Sequence, residues 1–317
     1  MRFSIIIMTY KKFDNLPENL HSISIQDFQD YEVILADDGS ESYEEDAVKE
    51  LFAKEGLRER ATLIHHEKNL GTVKNYNGAI QIARGEIIVP LSQDDRFADE
   101  AVLRDLDQFF REKDAKACYC KRKSLDGEIL PIPMEFDFLG EKDLQRTYKR
   151  LLFRNFIYGA TLYFKKETWE KLGGFDERFR LLEDHPFALK LLSNGVQIMP
   201  FDRISILYGR EGISSSKVVH SKAALELIKD NVRLYDEIIS KEVSSWGSWR
   251  VKRTYRYRWL VSFSCHLDPK RAKLRKLITY LRFIDVAIPH KLCYVKYGRE
   301  ADAVFVNRLY SSKKDAT

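Results

Sequence analysis

Along the first two hundred residues, short apolar runs alternate with segments whose apolar positions recur every three or four residues. Phe3 to Met8 is a β-branched run that stops at polar residues, which predicts a buried strand. Leu16, Leu20, Ile23 and Ser24 follow at helical spacing and predict a crossover helix. The same alternation predicts strands over Tyr31 to Ala36, Ala61 to His65 and Glu86 to Leu91, and helices over Tyr43 to Glu55 and Thr72 to Ala83, with Gly85 as a stop. Strand and helix in regular succession predict an α/β fold of parallel strands joined by right-handed crossovers, with helices on both faces.

Beyond Asp95 the pattern loosens. Ala115 to Lys123 and Gly159 to Lys165 read as strands, Pro131 and Pro133 as a loop or sheet edge, and Glu183 to Leu192 as a helix closing at Asn194-Gly195. Two further strands are expected near Val196 to Pro200 and Ile204 to Tyr208, and helices from about Ser216 to a polar tail at Ser311. The expected division is a catalytic domain over residues 1–215 and a basic helical region over 216–317.

Acidic residues gather where the predicted strands end. Asp37-Asp38-Gly39-Ser40 follows the second strand, Asp94-Asp95 the fourth, and Glu183-Asp184 opens a helix. In an open α/β sheet, ligands bind in the crevice beyond the carboxyl ends of the strands. Each pair has an ordinary reading as a turn or a helix start, where the helix dipole favours negative charge. Their joint placement points instead to a metal-nucleotide site with a separate base.

Composition narrows the class. The 317 residues, 44% of them hydrophobic, can supply a sizeable core. No apolar run approaches the ~20 residues of a transmembrane helix, and the N-terminus lacks the pattern of a secretory signal. Cys118, Cys120, Cys265 and Cys293 have neither disulfide-framework density nor metal-ligand spacing, so they read as buried or free thiols suited to a reducing cytoplasm. His65 and His66 point to opposite faces of a strand and make a poor shared ligand pair.

The ordered motifs resemble the family 2 glycosyltransferases, nucleotide-sugar-dependent enzymes of GT-A fold. The resemblance rests on Ser4-Ile5-Ile6-Ile7-Met8-Thr9-Tyr10, Asp37-Asp38-Gly39-Ser40, Asn69-Leu70-Gly71, Ala83-Arg84-Gly85-Glu86-Ile87-Ile88, Gln93-Asp94-Asp95, Gly173-Gly174-Phe175-Asp176-Glu177 and Glu183-Asp184. It implies a donor cleft in which Thr9 and Tyr10 line a pyrimidine pocket and Asp38 accepts from the base or ribose. It also implies that Asp94 and Asp95 hold Mn²⁺ or Mg²⁺ on the diphosphate of a UDP-sugar. Asp184 is then the general base of an inverting transfer to a saccharide acceptor. Two departures stand out: Ser92-Gln93-Asp94-Asp95 lacks the first acid of the usual Asp-x-Asp-Asp run, and Tyr208-Gly209-Arg210-Glu211-Gly212-Ile213-Ser214 lacks the histidine often found there. Arg210 is the substitute cation for the diphosphate, and Lys74 or Tyr76 lies where many relatives carry a basic residue.

A nucleotidyltransferase would need a glycine-rich phosphate loop, and Thr9-Tyr10-Lys11-Lys12-Phe13 has no glycine. A non-catalytic scaffold of the same fold is the other alternative, opposed by the retained Asp94, Asp95 and Asp184.

The net charge of +5 is concentrated late in the chain: from Lys241 to Arg299 the only acids are Glu242, Asp268 and Asp285. Leu274, Leu277, Ile278, Leu281 and Ile284 recur at helical spacing among lysines and arginines. Such a helix can lie peripherally on an anionic membrane carrying a lipid-linked acceptor, or pack on the catalytic domain or in a homo-oligomer. No nucleic-acid module is recognised, and the acidic cleft opposes nucleic acid.

Overall fold

The computed structural model describes residues 1–209, 221–246 and 248–311. They divide into two compact units, one of residues 1–144 with 157–209 and the other of residues 145–156 with 221–311.

The first unit is a mixed α/β layer structure. In chain order it contains β1 (Phe3–Thr9), α1 (Leu16–Ser24), β2 (Tyr31–Asp37), α2 (Glu45–Lys54), β3 (Ala61–His65), α3 (Thr72–Ile82), β4 (Ile87–Ser92), β5 (Arg96–Phe97), α4 (Val102–Lys113), β6 (Ala117–Ser124), β7 (Ile129–Leu130) and α5 (Pro133–Leu139). After α6 (Leu144–Phe153), which packs in the second unit, come β8 (Leu162–Lys165), α7 (Lys166–Lys171), α8 (Asp184–Ser193) and β9 (Ile198–Tyr208). The sheet order is β3-β2-β1-β4-β8-β6-β9-β5, with β7 on β6. The first four strands are parallel, β8 is antiparallel to both neighbours, and β6 and β9 are parallel.

Strands covered on both faces need apolar side chains on both, which is why β1, β2 and β4 read as unbroken hydrophobic runs. Ile5, Ile6, Ile7, Val33, Leu35, Ile88 and Val89 are buried accordingly. Glu32 is a buried acid within these runs. It accepts from Ser4 Oγ at 2.6 Å and from Arg84 Nε at 2.8 Å, while Gly85 N donates to Ser4 Oγ at 2.8 Å. The Ala83-Arg84-Gly85 segment is thereby fixed to β1 and β2 just ahead of β4.

Two expectations need correction, and one helix lay outside the sequence reading. The two short strands predicted near Val196 to Pro200 and Ile204 to Tyr208 are one strand, β9, because register shifts opposite Lys121 and Arg122 absorb the extra residues as bulges. The Pro131 and Pro133 segment holds the edge strand β7 but then a helix, with Pro133 in the first turn, where a missing N–H costs nothing. Helix α4 was not anticipated, although Val102, Leu103, Leu106 and Phe110 form its buried stripe.

The second unit is helical: α6 with α9 (Lys222–Leu234), α10 (Ser240–Ser245), α11 (Trp249–Ser262), α12 (Ala272–Arg282), α13 (Ile284–Tyr297) and α14 (Ala301–Ser311). Tyr255 Oη donates to Lys149 O at 2.5 Å, Trp259 Nε1 to Leu152 O at 3.2 Å, and Arg150 Nη2 to Asn307 Oδ1 at 2.6 Å, so α6 is stitched to α11 and α14. All four cysteines are buried free thiols. Among the described residues no helix is long and apolar enough to cross a membrane.

Asp302 is the buried polar centre of this unit, 2.7 Å from His290 Nε2, 3.0 Å from Arg258 Nη2 and 3.6 Å from Arg154 Nη1. Burial works to raise its pKa, but the His290 hydrogen bond and the charges of Arg258 and Arg154 outweigh it and hold the carboxyl at about 2. A folded value below the ordinary 3.8 gives stability that is present above that value and lost as pH falls towards 2. The shift corresponds to about 2 kcal/mol. In an acid titration followed by fluorescence of Trp246, Trp249 and Trp259, this loss is expected between about pH 4 and pH 2. It should be missing from Asp302→Asn.

Candidate active site

The carboxyl ends of β1, β2 and β4 lie side by side and carry Thr9, Asp37-Asp38 and the turn at Ser92 to Asp95. Asp37 is wholly buried and structural. It accepts from Thr9 Oγ1 at 3.0 Å, from Ser40 N at 2.8 Å and from Ser40 Oγ at 2.6 Å, and meets His65 Nδ1 at 2.9 Å. Thr9 is therefore buried against Asp37, whereas the adjacent Tyr10 is half exposed. Tyr43 stacks on His65 with 4.4 Å between ring centroids. His66 turns the other way, to Asn75 Oδ1 at 3.0 Å.

Asp38 is buried and already engaged. Its carboxylate accepts from Leu70 N at 2.6 Å and Gly71 N at 3.0 Å, so it holds the Asn69-Leu70-Gly71 loop that leads into α3. Gly39 permits this approach: its φ is +74°, and a Cβ there would lie 2.4 Å from the carbonyl carbon of Lys68. Burial raises the Asp38 pKa against the lowering effect of the Leu70 and Gly71 N–H groups and of Arg180 and His66.

The Ser92 to Asp95 turn closes through Asp95 N to Ser92 O at 2.9 Å, and Asn19 Nδ2 braces it by donating to Ser92 O at 3.0 Å and Asp95 O at 2.7 Å. Asp95 is buried and Asp94 only partly so. Asp95 Oδ1 accepts from Gly209 N at 2.9 Å, while Oδ2 has no hydrogen-bond partner among the described residues. A Cβ on Gly209 would stand 2.2 Å from Asp94 O, so only glycine lets the end of β9 approach this closely. Burial first, and then the neighbouring Asp94 charge, push Asp95 up to about 8.

An orphaned, buried carboxylate oxygen beside a second carboxylate fits a hard divalent cation. Among the described residues no group of three or more His, Cys, Asp or Glu side chains could hold a metal, so the two aspartates would leave the other coordination positions to water and substrate oxygen.

Glu183 and Asp184 begin α8, and the chain before them runs along α3. Phe175 N donates to Asn77 Oδ1 and Asn77 Nδ2 to Phe175 O, each at 3.0 Å, while Val73 N donates to Arg180 O at 3.1 Å. Beneath, Phe175 packs edge-on to Phe187 at 4.9 Å and Phe187 to Phe164 at 4.9 Å, seating α8 on β8. His185 N donates to Asp184 Oδ1 at 2.6 Å. Tyr76 of α3 lies edge-on to Phe175 at 5.9 Å. Burial raises its hydroxyl well above the usual range, and the charges of Glu183, Asp95 and Asp184 add to that rise. Lys74 instead faces Glu177 at 3.9 Å.

The profile of the family described as Glycosyl transferase family 2 matches residues 4–170, just over half of the chain. The chain belongs to that family. It is a glycosyltransferase of GT-A fold. It is 25% identical over 244 residues to a PGL/p-HBAD biosynthesis glycosyltransferase of Mycobacterium tuberculosis, covering 77% of this chain and 90% of that one. It is 27% identical to the poly(ribitol-phosphate) beta-N-acetylglucosaminyltransferase TarS of Staphylococcus aureus, covering 90% of this chain and 54% of the longer TarS. Among solved structures, TarS 1-349 in complex with UDP-GlcNAc superposes with a TM-score of 0.58 at 21% identity, covering 93% and 92% of the two chains. Mannosyltransferase PcManGT of Pyrobaculum calidifontis, solved with GDP-Man and Mn2+, gives a TM-score of 0.58 at 17% identity, covering 99% and 82%.

In this glycosyltransferase, Arg210 lies outside the described residues. A cation absent from the sequence reading stands near the aspartate turn: Arg122 of β6, whose guanidinium lies 3.9 Å from the ring centroids of both Tyr158 and Tyr208. Tyr208 directly precedes Gly209, and the Arg122 charge works to lower the Asp95 pKa. Strand alternation was the available signal, since it puts Arg122 on the opposite face from Lys121 and Lys123.

Proposed function

We propose that this glycosyltransferase moves a hexose-type sugar from a UDP-sugar to a saccharide acceptor with inversion, at the cytoplasmic face of a membrane, in the synthesis of a surface polysaccharide or glycoconjugate. The observation that carries the reading is the buried, unpartnered Asp95 Oδ2 beside Asp94 at the carboxyl end of β4, at the same end of the parallel strands as the loop that Asp38 holds after β2; Asp184 heads α8. The UDP-GlcNAc bound to TarS and the GDP-Man bound to PcManGT support a nucleotide-sugar donor, and TarS supports uridine.

Tyr10 offers an accessible ring at the nucleotide end, with Thr9 behind it holding Asp37. Asp38 acts on the donor chiefly through the Leu70 and Gly71 backbone it orders. Asp94 and Asp95 hold Mn²⁺ or Mg²⁺, which when bound stabilises the negative charge of the departing diphosphate. Arg122, fixed between two rings, is a second cation on that side.

The acceptor hydroxyl attacks the anomeric carbon as the bond from that carbon to the diphosphate oxygen breaks. The leaving group takes the bonding electrons and Asp184 takes the hydroxyl proton. One displacement through an oxocarbenium-like state inverts the anomeric centre. The His185 N–H orients the Asp184 carboxylate for this step. The test is UDP release from a panel of UDP-sugars with saccharide acceptors. Release should require both a divalent cation and an acceptor; unchanged release in chelator refutes the metal-assisted reading.

A further inference from the structure

Two consecutive helices of the second unit leave aliphatic side chains uncovered. Helix α13 buries Val286, Ala287 and Cys293 yet exposes Ile284, Ile288, Leu292 and Val295, and α12 exposes Leu277 and Leu281 on the turn before. These six side chains are between 51% and 80% exposed. Spacings of three and four residues place them along one face of each helix. Isolated exposed leucines are ordinary, but a run this long on consecutive helices marks an interaction surface.

The charge around the stripe identifies the partner. From Lys270 to Arg299 the chain carries nine lysines and arginines and one acid, Asp285. That acid is paired with Arg253 at 2.8 Å. Lys273, Lys276 and Lys291 have no ion-pair partner among the described residues. In a two-fold dimer the same patch would meet itself, setting cations against cations. An anionic bilayer complements both features, taking the aliphatic residues at its acyl boundary and the lysines at its headgroups.

We propose that α12 and α13 form a peripheral docking surface for a membrane rich in anionic lipid. The surface lies within the helical unit and extends the membrane location proposed above, but its test reads vesicle binding and not sugar transfer, so the two can fail separately.

The experiment is co-sedimentation of the full chain with vesicles of phosphatidylcholine alone or mixed with phosphatidylglycerol, at rising salt. Binding to the phosphatidylglycerol vesicles is expected to exceed binding to phosphatidylcholine and to weaken with salt. The double variant Ile288→Glu, Leu292→Glu should lower vesicle affinity by roughly tenfold or more. The triple variant Lys273→Gln, Lys276→Gln, Lys291→Gln should weaken it while leaving the aliphatic stripe intact. Every changed side chain is partly or largely exposed, and an unchanged melting temperature in at least one of the two variants keeps the comparison valid. Failure to bind anionic vesicles, or binding that neither variant alters, overturns the proposal. So does light scattering that shows a dimer dissociated by Ile288→Glu, which would assign the stripe to a second copy of the chain.

Discussion

Asp184→Asn is expected to lower transfer by roughly a hundredfold to ten-thousandfold while UDP affinity stays within about twofold of wild type, the range typical of a lost general base. That loss amounts to about 3–5 kcal/mol of transition-state stabilisation. The amide matches the carboxylate in shape and still accepts the His185 N–H through its oxygen, so the head of α8 should keep its geometry. What it lacks is the capacity to take the acceptor proton. Single-turnover rates measured beside UDP titrations separate the two effects, and a variant that retains near-normal turnover would remove Asp184 from the role of base. Glu183→Gln is the control at the neighbouring position and should cost less.

Asp95→Asn is expected to weaken Mn²⁺-supported UDP binding by roughly a hundredfold, since even residues that only orient metal ligands commonly cost ten- to hundredfold. The same substitution should raise the thermal stability of the metal-free protein. Asp95 is buried beside Asp94, and its folded value of about 8 stands above the ordinary 3.8. A raised carboxylate pKa means the folded state binds the extra proton, so stability falls as pH rises from about 4 towards 8. An uncharged Asn, still able to accept from Gly209 N through its oxygen, escapes that penalty. Opposite shifts, with melting temperature up and metal-supported affinity down, would identify a residue kept for function at a cost in stability. Equal Mn²⁺ dependence in variant and wild type would rule out Asp95 as a ligand.

The parallel half of the fold was legible because β1, β2 and β4 are covered on both faces and are therefore mostly apolar, and because each ends abruptly at polar residues. The later half was not. Strand β9 carries Pro200, Asp202 and Arg203 through its middle, a sequence that reads as a turn until the bulges against β6 are seen. Asp38 illustrates a second limit. Its position at a strand end was readable, but its engagement with Leu70 and Gly71 depends on a loop more than thirty residues away. Arg122 sits between two lysines, and nothing local reveals that Tyr158 and Tyr208 will clamp it. In α13 both covered and uncovered positions are apolar, so the sequence does not say which face remains bare.

Calorimetric titration of UDP into the wild-type protein, with and without Mn²⁺, tests the donor site most directly. The expected result is saturable binding at one site per chain that Mn²⁺ strengthens at least roughly tenfold. UDP affinity that is undetectable, or the same with Mn²⁺ and with chelator, would contradict a metal-assisted nucleotide-sugar site at Asp94 and Asp95.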